Sequence, residues 1–205
     1  MPIASAEMQE YFSVLEGKFK EQWQIASEAR ELHLDPQDEI ETKPAKDIYS
    51  RVEGLVGPKG IAELMEPLAE GRSREELVFE IARQICEEKA FHPSYESEHE
   101  RKEKLIEQAV RTGLAIFTEG VVSAPIEGIS QVRIKQNADG TDYVAVYFAG
   151  PIRGAGGTGQ AFTVLLADYA RQLLHVGNYR PSETEIERYI EESNLYAVKT
   201  RAGQY

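Results

Sequence analysis

The chain has 205 residues, of which 41% are hydrophobic and 28% charged, and its formal net charge is −12. It is long enough to bury a core in one or two small domains. No apolar run approaches the roughly 18 residues of a membrane span and no signal-peptide pattern opens the chain, so no membrane partner is expected; the acidic total excludes a free-standing binder of nucleic acid driven by phosphate neutralisation.

That charge is uneven. Residues 1–100 carry 23 acidic and 11 basic side chains, whereas residues 101–205 carry 12 of each. The first half repels a polyanion, and the second can lie beside one inside a larger complex. Cys86 is the only cysteine and falls on the apolar side of a predicted helix. It is read as a buried core thiol, in keeping with a reducing cytoplasm. His33, His92, His99 and His175 show no metal-ligand spacing with Cys86 or with one another.

The first predicted element is a helix over 6–34. Met8, Phe12, Leu15, Phe19, Trp23 and Ala26 recur there at steps of three and four. One small domain covers so long a stripe with difficulty, so Phe12, Leu15, Phe19 and Trp23 are the candidate partner-binding residues; packing against the rest of the chain is the competing reading. The acidic stretch DPQDEIETKPAK (35–46) lacks periodicity and holds two prolines, as a linker does. Helices are predicted over 47–56, stopped by Gly57–Pro58, and over 59–68. Ser73 and Glu76 form a capping box for a helix running to about Ala90. A helix over 98–119 opens on charge (EHERKEKL) and closes on apolar residues.

At Gly120 the character changes. VVSAPIEG (121–128) is strand-like, with Pro125 at an edge or bend. Residues 129–136, the turn NADG and residues 142–149 read as a β-hairpin, with Val144, Val146 and Phe148 on one face. A glycine-rich turn, a helix over 160–175 and a helix from Ser182 to about Asn194, opened by a second S-x-x-E box, complete the pattern. The last residues, LYAVKTRAGQY, lack a stop signal, and the chain is expected to continue beyond them. The expected fold class is α+β: a helical N-terminal part, then a small antiparallel hairpin flanked by helices. Three parts follow, 1–46 (helix and acidic linker), 47–119 (helical) and 120–205 (α+β, with the glycine-rich turn).

The glycine turn is the densest signal. Gly154, Gly156, Gly157 and Gly159 lie within six residues between a strand and a helix. Such a loop can present free backbone N–H groups to an anion. Gly154, Gly156 and Gly159 match the dinucleotide spacing G-x-G-x-x-G, yet a capped helix follows where a second parallel strand should stand. Gln160 and Ala161 occupy the places where a nucleotide P-loop needs Lys and Ser or Thr. A tight turn with close packing, and a backbone contact to phosphate, both remain open. Arg153 within the turn, with Arg133 and Lys135 on one face of the first hairpin strand, forms the candidate cationic cluster; a solubilising surface is the alternative. Glu119 and Glu127 flank an apolar segment and are expected to be partly buried, paired to Arg111, Arg153 or a backbone N–H. No triad spacing for nucleophilic catalysis is present.

Three segments carry a family likeness: RVEGLVGPKGIAELMEPL (51–68), EQAVRTGLAIFTEGVVSAPIEGISQVRIKQN (107–137) and YVAVYFAGPIRGAGGTGQAFTVLLADYARQLL (143–174). They resemble the N-terminal region of the large subunit of archaeal family D DNA polymerase, and the likeness covers most of 47–200. It implies a DNA-directed DNA polymerase working in DNA replication as a heterodimer with a small subunit that carries 3′-to-5′ exonuclease activity. The family's catalytic aspartates lie far downstream, so no catalytic residue carries over and this stretch alone is expected to be inactive. Magnesium and zinc are implied for the whole enzyme and no cofactor for this stretch. The implied role is subunit assembly and contact with primer-template DNA, with Arg153, Gly156, Gly157, Arg133 and Lys135 as the candidate DNA-binding residues. Self-association through the first helix is a further possibility. The alternatives are a stand-alone nucleotide-binding enzyme built on the glycine turn, and a purely structural interaction module.

Overall fold

The computed structural model describes residues 4–37, 40, 45–119, 126–155 and 157–200. The chain divides into two compact units, Met1–Pro44 and Ala45–Tyr205. The first unit is one helix, α1 (Ala6–Glu31), and the residues after it. Ser5 caps α1 by accepting from the Met8 N–H at 3.2 Å. The helix buries none of its residues.

The second unit is α+β, as expected. It runs α2 (Ile48–Leu55), α3 (Ile61–Ala69), α4 (Arg74–Cys86), α5 (Glu98–Phe117), β1 (Ile129–Gln136), β2 (Asp142–Phe148), α6 (Gly150–Ala155), α7 (Gly157–Leu173) and α8 (Glu183–Thr200). Capping chemistry sets several of these starts. Asp47 opens α2 and Ser73 opens α4, each with a reciprocal bond from the third helical residue. Ser97 opens α5 by accepting from the Glu100 N–H. Glu53 caps α3 from a distance, accepting from the Ala62 N–H at 2.9 Å.

The core sits where α4, α5 and α7 meet, and it draws on residues both before and after position 120. Val78, Ile81 and Ile85 of α4, Leu105, Ile106, Val110 and Leu114 of α5, and Leu166 of α7 are closed to solvent. An aromatic seam joins the three helices: Phe117 stacks on Phe162 at 4.1 Å, and Phe79 meets Phe162 and Tyr169 edge-on. Gly113 allows the close approach of α7, since a Cβ there would stand 2.3 Å from Leu166 Cδ2. Cys86 is buried, as the sequence reading has it, and burial pushes its thiol pKa up to about 12.

β1 and β2 form an antiparallel two-stranded sheet among the described residues, with Ile134 opposite Val144 and Val132 opposite Val146. Those four residues face the core. A parallel βαβ unit around the glycine turn is absent among the described residues, which removes the architectural basis for a dinucleotide site.

Other expectations need correction. Residues 150–155 form the short helix α6 rather than an open turn: Gly150 has φ +54°, and Pro151 is tolerated in a first turn, where its missing N–H has no intrahelical acceptor to lose. The strand-like VVSAPIEG falls mostly outside the described residues, and its Ile126 and Glu127 form a π-type turn. Glu119 and Glu127 are exposed, not half-buried. Glu119 pairs with Arg74 at 2.5 Å, while Arg111 bonds Glu107 and the Ile126 carbonyl. Finally, α8 continues to Thr200, past the expected end near Asn194.

Candidate functional site

The hairpin has two chemically different faces. Val132, Ile134, Val144 and Val146 point inward. Strand alternation therefore turns Gln131, Arg133 and Lys135 of β1 outward, opposite Tyr147, Ala145 and Tyr143 of β2. Arg133 and Lys135 share the outer face, as their spacing predicted.

The two cations are not equivalent. Arg133 is half exposed and reaches Glu103 Oε2 at 3.3 Å. The other oxygen of Glu103 accepts the Ile134 backbone N–H at 2.7 Å. Glu103 of α5 thus fastens β1 and offsets the Arg133 charge. Lys135 instead lies over the Tyr147 ring, with Nζ 5.6 Å from the ring centre. The Tyr147 hydroxyl and the neighbouring Tyr143 hold its pKa above the usual lysine value. Lys135 therefore keeps its charge at any physiological pH.

Arg153 stands apart. It is exposed on α6, beyond the Ile129–Phe148 end of the hairpin. Lys135 lies six positions along β1 from Ile129, roughly 20 Å at a strand's rise per residue. The three cations are strung along the hairpin and past its end, not gathered at the glycine turn. Gly156 lies outside the described residues. Gly157 opens α7 with φ +42°, a backbone conformation costly for a residue with a Cβ. Space around Gly154 and Gly157 is open: a Cβ at either would meet nothing within 4 Å. Close packing inside the chain therefore does not explain these two glycines. At Gly159 the nearest atom to such a Cβ is Ile152 Cδ1, at 3.9 Å.

The sequence reading missed the tyrosines. Tyr143 and Tyr147 share the outer face with the cations, and Tyr179 packs on Tyr143 with ring centres 4.9 Å apart. The signal was present as Tyr143 and Tyr147 at a spacing of four on a strand, the complement of the Val144–Val146–Phe148 face. Tyr179 carried no such signal, because only the folded chain brings it to the hairpin. It is anchored there. Its hydroxyl donates to Glu185 at 2.5 Å, and that bond pushes its pKa up to about 12. Asn137, at the hairpin turn, accepts the Arg180 N–H and donates to the Asn178 carbonyl.

In the first unit, Phe12, Leu15 and Phe19 are each 48% exposed along α1, with Met8 at 49%. Trp23 is less open and packs against Phe19 at 6.0 Å. The four candidate partner-binding residues thus form one aromatic-rich stripe.

A family model described as the DNA polymerase II large subunit DP2, N-terminal, matches residues 10–205. The chain belongs to this family. Among relatives, the DNA polymerase II large subunit of Methanothermobacter thermautotrophicus is 50% identical over 198 residues, covering 97% of this chain and 18% of the relative. That of Methanococcoides burtonii is 46% identical over 194 residues, covering 95% and 16%. That of Pyrococcus horikoshii is 46% identical over 201 residues, covering 97% and 14%. The chain spans less than a fifth of the length of these curated DNA polymerase II large subunits. The family match takes in both the hairpin and the glycine turn, as well as α1 from Glu10 onward.

Proposed function

We propose that this chain serves as the N-terminal part of the large subunit of an archaeal, cytoplasmic DNA-directed DNA polymerase. In that role it joins the subunits and touches primer-template DNA, and it performs no chemistry itself. The polymerase active site would lie in the remainder of a longer polypeptide. The partner would be a small subunit with 3′-to-5′ exonuclease activity. Magnesium and zinc, implied by the likeness for the whole enzyme, would belong to the remainder of that longer polypeptide; among the described residues of this stretch no three His, Cys, Asp or Glu side chains gather to hold a metal ion. Likewise, among the described residues no helix is long and apolar enough to cross a membrane.

One observation carries the assembly reading. A 26-residue helix with an apolar stripe buries none of its residues. Water contact of that kind is costly for large apolar side chains, at about 25 cal/mol per Å², and a contiguous apolar surface rimmed by charge marks an interaction site. For DNA contact the support is Lys135, charged and on an outward face, with Arg153 exposed on α6. A stand-alone nucleotide-binding enzyme is disfavoured by the antiparallel sheet. A purely structural module would bind no DNA even at low salt.

The test titrates the chain with primer-template DNA from low to physiological salt, with and without the small subunit. Binding should weaken as salt rises, with a slope set by about two phosphates, and strengthen with the partner. Leu15→Asp and Phe19→Asp should abolish the complex with the small subunit and leave the melting temperature unchanged, because α1 buries nothing. Lys135→Ala and Arg153→Ala should each weaken binding to all DNA sequences alike and reduce the salt slope by about 1. Unchanged subunit binding by the α1 variants sinks the docking role, and unchanged DNA binding by the two cation variants sinks the phosphate role.

A further inference from the structure

The outer face of the hairpin holds more aromatic surface than a phosphate contact needs. Tyr143 and Tyr147 turn away from the apolar core, which instead packs Val144, Val146 and Phe148. Tyr179 adds a third ring on the same side, still 47% exposed. Lys135 lies over Tyr147, and Arg133 stands between the two tyrosine positions, opposite Ala145.

Charge on this face is modest. Glu103 partly cancels Arg133, and Asp139 pairs with Arg180 at 2.6 Å. A surface that held duplex DNA through its phosphates would need more free cations than these. Aromatic rings interleaved with a few cations suit a different ligand. In single-stranded DNA the base faces are uncovered, and they stack on tyrosine while one or two lysines or arginines meet the backbone. In a duplex those faces are already stacked on one another and cannot be reached.

We propose that Tyr143, Tyr147 and Tyr179, with Lys135, form a stacking platform for unpaired bases, so that this face takes single-stranded rather than duplex DNA. The proposal rests on the DNA-contact reading above and refines it. Tyr179 is the most exposed of the three. Its bond to Glu185 and its contact with Tyr143 hold it in place before any base arrives, which limits the entropy lost on binding.

The experiment measures fluorescence anisotropy of a labelled oligothymidine and of a labelled duplex of equal length, using the full 205-residue chain at low salt. The single strand should bind tighter. Tyr147→Leu and Tyr179→Leu should each weaken single-strand binding about tenfold, leave duplex binding unchanged and leave the salt slope unchanged. Tyr147→Phe should bind like the wild type, because the ring is kept. Lys135→Ala should weaken both ligands and lower the salt slope. Tyr179→Leu guards against misfolding, since its ring is exposed; melting curves check both variants. Equal affinity for strand and duplex, or leucine variants that bind the strand as well as wild type, overturns the platform. If Lys135→Ala still weakens both ligands in that case, the phosphate contact stands alone. Absence of any DNA binding overturns both. A concentration-dependent dimer abolished by Tyr147→Leu, with no preference for single strands, makes the face a protein contact and also overturns the proposal.

Discussion

Asn137 ties three parts of the second unit together, and its removal tests that tie directly. The side chain is 7% exposed. Its amide donates to Thr141 Oγ1 at 2.9 Å and to the Asn178 carbonyl at 2.8 Å, and its carbonyl accepts the Arg180 N–H at 2.9 Å. Two of these bonds cross about forty residues of chain, from the hairpin turn to the segment that leads into α8. Each hydrogen bond is worth about 1 kcal/mol net, and a buried group left without a partner costs about 1–3 kcal/mol. Asn178 and Arg180 are exposed, so water replaces part of what Asn137 supplies. Asn137→Ala should therefore cost about 2 kcal/mol, which lowers the melting temperature of a chain this size by roughly 4–8 °C. Thr141→Val removes the Asn137 contact and the bond that the Thr141 hydroxyl donates to Asp139, both within the turn and the latter exposed, and should cost about 1 kcal/mol. Thermal melts followed by circular dichroism give the first number. Hydrogen exchange gives the second: the Arg180 amide should lose its protection in Asn137→Ala while the amides of α4 and α5 keep theirs. A melting temperature within about 1 °C of wild type, or an Arg180 amide that stays protected, would refute the reasoning.

Two further outcomes follow from the core. Gly→Ala inside a helix normally stabilises by about 1 kcal/mol, but Gly113→Ala would push a methyl to 2.3 Å from Leu166 Cδ2 and 3.0 Å from Val78 Cγ1, both fully buried. Overpacking costs about 1–3 kcal/mol, so the variant should melt below wild type, and adding Leu166→Ala should cost less in that background than alone. Cys86 should resist thiol reagents at pH 8 until the chain unfolds. Its folded pKa is raised from 9.0 to about 12, so above pH 9 the unfolded chain releases this proton first and stability falls as pH rises through that window; Cys86→Ser should flatten that fall in alkaline melts, whereas an unchanged slope would mean that the thiol is not the group responsible.

Much of the fold was legible because its signals are local. The capping boxes at Ser73 and Ser182, the 3.6-residue periodicity of α1 and α5, and the alternation of β2 each depend on residues within a few positions of one another. The helix starts and the hairpin register follow from them. The misreadings share one cause. Glycine and proline speak for a turn locally, but GPIRGA takes a helical turn because Gly150 supplies the positive φ that lets the chain leave β2 and enter α6 at once. Glu119 found Arg74, more than forty residues away, in place of the neighbours that the sequence offered. Long-range pairing of that sort leaves no periodic trace.

The candidate site shows the same division, and it changes what the residues can do. Reading cations off the sequence gives Arg133, Lys135 and Arg153 equal weight. Folding makes them unequal: Glu103 occupies Arg133, Tyr147 lies under Lys135, and Arg153 sits past the end of the hairpin. An electrostatic footprint of three free charges shrinks to one or two, spread over some 20 Å along the strand. The aromatic side of the same face grows instead, because Tyr179 arrives from beyond α7 and is fixed there by Asn137 and Glu185. A surface short of free charge but rich in positioned rings gains its selectivity from uncovered base faces, and the salt dependence of its binding should accordingly be shallow. A salt slope set by about two phosphates, with a strong preference for unpaired strands, is the signature that separates this arrangement from a basic patch.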